Sequence, residues 1–114
     1  MLQNPLSPAK AGAQAFLGAM AFYTYILASR RNGTLYIGYS DDLSRRMIEH
    51  KEGTYRGFTW KHGVHLLVWY DMFESRDEAW RREKAMKKWN RAWKIELIER
   101  FNPGWADLTA TIEA

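Results

Sequence analysis

Cysteine is absent from the 114 residues, which excludes a disulfide framework, a zinc–thiolate site and a cysteine nucleophile. That absence fits a cytoplasmic location. A long apolar run is missing as well. The uncharged stretch from Ala11 to Ser29 is rich in Ala and Gly and carries Gln14, Thr24 and Tyr25, a poor composition for a membrane span. Lys10 stands alone behind Pro5 and Pro8, a weak start for a signal peptide, and cleavage would remove what reads as the first strand. No membrane association is expected, and residues 1–20 read as a loose leader. There is no internal repeat, and the length leaves room for one domain with a modest core.

Aromatic side chains are plentiful: six Trp, six Tyr and five Phe within a 46% hydrophobic composition. Most should be core, although aromatics beside cations also suit stacking on bases. Lys and Arg number 17 against 13 acidic residues, a net charge of +4. The excess favours association with a polyanion without specifying one.

Phe22–Ser29 (FYTYILAS) and Thr34–Tyr39 (TLYIGY) are β-branched and aromatic, with Asn32-Gly33 between them, the pattern of a β-hairpin. Ser40-Asp41-Asp42 can cap a helix with Leu43, Met47 and Ile48 on its apolar side, stopped by Gly53. Gly53–Gly63 (GTYRGFTWKHG) reads as an ordered surface loop, and His65–Phe73 as a third, largely buried strand. Ser75-Arg76-Asp77-Glu78 matches a capping box for a helix to about Trp89. Asn90 can cap another from Arg91 to Arg100, before Asn102-Pro103-Gly104 breaks it. The order β-β-α-β-α-α implies an α+β fold, a three-stranded, mainly antiparallel sheet flanked by helices. Leu108 and Ile112 offer the C-terminal residues a little apolar anchoring.

Tyr25 and Tyr36 fall on the two hairpin strands, which would bring them side by side. Paired strand tyrosines most often serve packing. On the next helix Arg46 and His50 are four residues apart and share a face. An arginine fork can hold a phosphate and a histidine can position water, but a solvated Arg and a helix-terminal His answering the dipole fit the same pair. Glu83 lies four residues after Ala79 and three before Met86, a carboxylate on an inward stripe. A buried acid needs a partner, either a divalent metal or a salt bridge to Arg46. Lys84, Lys87, Lys88, Arg91 and Lys94 interleave with Trp89 and Trp93, a ridge that could bind phosphates or merely solubilise a helix face.

Taken together, YTY, the hairpin, YIG, the helix DDLSRRMIEH and the later helix EAWRREKAMKKW resemble the GIY-YIG endonuclease superfamily, in particular its small stand-alone bacterial members. These are related to the N-terminal nuclease domain of the excision-repair subunit that makes the 3′ incision. The resemblance covers about Phe22 to Glu99 and implies a domain over residues 21–102, with residues 103–114 as a C-terminal tail. It implies motif tyrosines at Tyr25 and Tyr36, the motif glycine at Gly38, the helix arginine at Arg46, the histidine at His50 and the metal-binding glutamate at Glu83. The activity implied is hydrolysis of nucleic-acid phosphodiester bonds, with DNA the expected substrate. Mg²⁺ or Mn²⁺ would be the cofactor and one of the two tyrosines would help to activate water. At pH 7 only about one ordinary tyrosine in a thousand is ionised, so such a base needs nearby positive charge. The alternative is a binding module of the same fold that cuts nothing and acts with a repair or mobile-element protein. The chain departs from the family pattern in reading YTY for GIY, in having Tyr39 where a lysine sometimes follows YIG, and in lacking a clear match to an asparagine after the glutamate.

Overall fold

The computed structural model describes residues 21–54 and 57–112; the expected leader, residues 1–20, lies outside them. Strand β1 spans Phe22–Ala28 and β2 spans Leu35–Ser40, antiparallel, with Tyr25 opposite Gly38 and Leu27 opposite Tyr36. The turn between them takes Asn32 to φ 57°, a region Asn enters more readily than most residues. Ser29 and Thr34 close it, with a backbone bond of 3.0 Å and a 2.9 Å bond from the Thr34 N–H to the Ser29 hydroxyl.

Strand β3, Leu66–Phe73, pairs antiparallel with the other edge of β1, giving the order β2-β1-β3. With a strand on each side, β1 is buried along almost its whole length. Opposite Ile26 and Leu27 the register slips, and Val68 is left as an extra residue on β3. This is a β-bulge, which leaves a carbonyl to be satisfied. Asn102 answers it by donating a 3.0 Å hydrogen bond to the Val68 oxygen.

Alternation along the strands separates two cores. Ile26, Ala28, Ile37, Val68 and Trp69 pack with Met86, Leu97, Ile98 and Trp105. On the other face Tyr25, Leu27 and Leu67 pack with Leu43, Met47 and Val64. The first core is closed by α3 (Arg76–Lys87) and α4 (Arg91–Phe101), the second by α1 (Leu43–Glu52). Each of these three helices starts on a side-chain cap: Asp42 accepts from the Arg45 N–H, Ser75 from Glu78 and Asn90 from Trp93, contacts that stabilise a helix by about 1 kcal/mol each. Gly53 ends α1 in the left-handed region at φ 69°.

Two features depart from the sequence reading. Phe58–Lys61 forms a short helix, α2, where Gly53–Gly63 read as a loop. One turn is enough to bury Thr59 while leaving Phe58 exposed. The segment after α4 also packs more firmly than Leu108 and Ile112 alone would suggest. Trp105 is buried in the first core and donates from its indole N–H to Glu99 at 2.8 Å. A 3-10 turn at Leu108–Thr111 then lays Leu108 and Ile112 against the second core, and Asp107 receives Lys51 at 2.7 Å. No helix among the described residues is long and apolar enough to cross a membrane.

Candidate active site

The site begins at the hairpin. Tyr36 and Gly38 point to the same side of β2, the side on which Tyr25 projects from β1. A Cβ at position 38 would stand 2.6 Å from the Tyr25 hydroxyl oxygen, 2.7 Å from its Cζ and 3.1 Å from Tyr36 Cε2. Only a residue without a side chain lets the Tyr25 ring lean across β2. The two rings come to 6.4 Å between centroids at 45°.

Helix α1 lies over them. Its His50 ring stands edge-on to both phenols, 6.1 Å from Tyr25 and 5.6 Å from Tyr36. His50 Nε2 lies 3.1 Å from the Tyr25 hydroxyl and Nδ1 lies 2.8 Å from the Thr59 hydroxyl. Either neutral tautomer satisfies both contacts, since each hydroxyl can donate or accept. Burial and then the Arg46 charge hold the His50 pKa below its usual 6.5, with His65 adding to the depression and Glu49 opposing it. A depressed pKa weakens the interaction of this histidine with the helix dipole.

Arg46, one turn earlier, pairs with Glu49 at 3.5 Å and remains partly exposed. Tyr36, Arg46, Glu49, His50, Gly57, Phe58 and Thr59 line a cleft of about 230 Å³. Tyr25, 2% exposed, lies beneath it. Burial is the main reason its phenol is pushed far above the ordinary 10.0; Tyr36, Glu83 and Glu49 push the same way, and Arg46 opposes them.

Glu83 is 8% exposed on α3, on the stripe of Ala79 and Met86. Its ion-pair partner is Lys87, one turn along the same helix, in place of the Arg46 bridge that the sequence left open. It does not line the cleft, yet its charge reaches the Tyr25 phenol. Among the described residues no three His, Asp or Glu side chains converge as a metal cage. A cation held at Glu83 would have one protein carboxylate and take its remaining ligands from water and substrate. A lysine ammonium already rests on that carboxylate, so the position accepts positive charge.

Lys84, Lys87, Lys88 and Arg91 are exposed on α3 and α4, and several of them have partners within the fold. Lys84 covers the Trp80 ring at 4.9 Å, Lys87 is held by Glu83, and Arg91 clamps the hairpin turn through the carbonyls of Asn32 (2.7 Å) and Gly33 (2.6 Å). Lys88 is exposed at the end of α3, and Lys94 is half-buried. Sequence reasoning missed Glu49, Phe58 and Thr59 as parts of the cleft. Thr59 carries no spacing signal, because its contact with His50 depends on the turn of α2. Glu49 could have been found, being three residues after Arg46 on the same helix.

Comparison with known proteins gives the frame for this geometry. A model of the GIY-YIG catalytic domain matches residues 21–96. The UPF0213 protein SSP2268 of Staphylococcus saprophyticus is 36% identical over 76 residues, 67% of this chain and 92% of its own. The UPF0213 protein CPE1444 of Clostridium perfringens is 36% identical over 76 residues, 67% and 81% of the two chains. The solution NMR structure of the UPF0213 protein BH0048 from Bacillus halodurans, 30% identical, covers 83% of this chain and all of its own at a TM-score of 0.49. With a domain match over most of the chain and relatives aligned along most of their length, this protein belongs to the GIY-YIG catalytic-domain family.

Proposed function

We propose that the protein is a divalent-metal-dependent endonuclease that hydrolyses phosphodiester bonds, with DNA as its substrate. One observation carries the reading: a phenol from β2 and a guanidinium and an imidazole from α1 line the same cleft. Arg46 would exchange Glu49 for the scissile phosphate and stabilise the charge that builds on it during attack. Tyr36, the tyrosine that lines the cleft, orients the attacking water and, once its own proton has left to solvent, takes up the proton of that water as the phenolate. Tyr25 is covered and strongly disfavours ionisation, so it serves as the group that fixes His50, with Thr59 on the opposite ring nitrogen. Glu83 is the residue that would hold Mg²⁺ or Mn²⁺. Such an ion would supply charge neutralisation for the phosphate and its leaving group and would lower the cost of ionising a tyrosine.

The test is cleavage of single-stranded, flapped and branched DNA with Mg²⁺, with Mn²⁺ and with chelator. Nicking should require the metal, and Tyr36→Phe should fall by at least about a hundredfold while remaining folded. Equal rates for Tyr36→Phe and the parent protein contradict the assignment of Tyr36.

The Lys87–Glu83 pair favours a second reading, a nucleic-acid-binding module that cuts nothing and acts with a repair or mobile-element protein. Salt-sensitive binding that survives Glu83→Gln, with no cleavage of any of these substrates under either metal, supports that reading over the first.

A further inference from the structure

Three rings follow one another along the cleft, and a fourth, His62, adjoins the last of them. His50 stands 5.6 Å from Tyr36, Tyr36 stacks with Phe58 at 6.3 Å and 26°, and Phe58 meets His62 at 4.4 Å. The inner rings have packing partners on β1 and α1. Phe58 belongs to the four-residue α2 and remains 48% exposed. Its ring shares the cleft wall with Arg46, so an apolar face and a phosphate-binding cation open onto the same space. A nucleotide presents that combination of a flat π-face and an anion. Bases inside a duplex are stacked on their neighbours and cannot offer that face; an unpaired base can.

We propose that Phe58 is the stacking platform for a nucleobase beside the phosphate held by Arg46, so that the protein selects strands unpaired at that position. This rests on the reading of the cleft as the site that receives the substrate backbone. Phe58 is a specificity residue here, touching the base and leaving the chemistry to the residues beside it.

The experiment measures equilibrium binding of the full chain in chelator, where nothing is cut. The probes are a thymidine oligonucleotide and an abasic strand of the same length and charge. The parent protein should prefer the thymidine strand by at least about fivefold. Phe58→Ala and Phe58→Leu should both lose most of that preference and bind the abasic strand unchanged, whereas Phe58→Trp should keep it. Phe58→Leu separates a ring from mere apolar bulk, and unchanged melting temperatures show that the variants fold. Equal affinity of the parent for both strands overturns the proposal, as does a Phe58→Leu variant that binds like the parent or weakens on both strands alike. A uridine strand in parallel identifies the sugar, with the Phe58 dependence expected on both. If the stacking pattern holds but no strand is cut with Mg²⁺ or Mn²⁺, the nuclease reading fails and the stacking assignment stands.

Discussion

A methyl group at Gly38 would collide with the Tyr25 hydroxyl at 2.6 Å and crowd Tyr36 at 3.1 Å. Gly38→Ala should therefore cost about 1–3 kcal/mol of stability, the range for overpacking, and should displace both phenols. Chemical denaturation and a cleavage assay check the two effects; a fully stable and active Gly38→Ala would deny the close approach. The triplet Tyr36-Ile37-Gly38 was legible in the sequence, but the reason for its glycine was not, because the contact crosses from β1 to β2. His50 gives a pH prediction. Its folded pKa lies below 6.5, so at pH values between the two the unfolded chain binds the extra proton and stability falls as the pH falls. The melting temperature should drop from pH 7 toward pH 5, and the drop should be shallower in His50→Gln. Identical slopes would contradict a depressed His50.

The helices of the sheet faces could be read from the sequence because their caps are local. Asp42, Ser75 and Asn90 each bond a backbone N–H three residues ahead, and such signals survive without tertiary context. Helix α2 and the bulge at Val68 could not be read this way. Both depend on distant partners: Thr59 on His50, and the Val68 carbonyl on Asn102. In the sequence Asn102 served only as part of a helix-breaking Asn-Pro-Gly. In the fold it is buried, bonded to Val68 at 3.0 Å and to the Ala106 carbonyl at 2.9 Å, and it accepts from the Ala106 N–H at 3.1 Å. Asn102→Ala should lower stability by about 1–3 kcal/mol through the orphaned carbonyl. A change of only a few tenths, measured by denaturant unfolding, would mean that the bulge does not depend on it.

At the scale of the whole molecule, the proposed catalytic groups come from the sheet and from helices on both of its faces. Tyr25, Tyr36, Arg46 and His50 gather with α1 on one side, while α3 packs against the other core and carries Glu83. The charge of Glu83 nonetheless reaches the Tyr25 phenol, so a cation neutralising this carboxylate would remove one of the charges that oppose ionisation of Tyr25. Sequence order could gather these residues into one family pattern. It could not show that Lys87 would occupy the carboxylate, since an i,i+4 pair on α3 and a metal site draw on the same glutamate. Glu83 is therefore the residue on which the proposed metal dependence rests. Single-turnover cleavage of a single-stranded or flapped DNA with Mg²⁺ should be at least about a hundredfold slower in Glu83→Gln than in the parent protein, with both chains folded. Equal rates would contradict the metal-dependent endonuclease built around this residue.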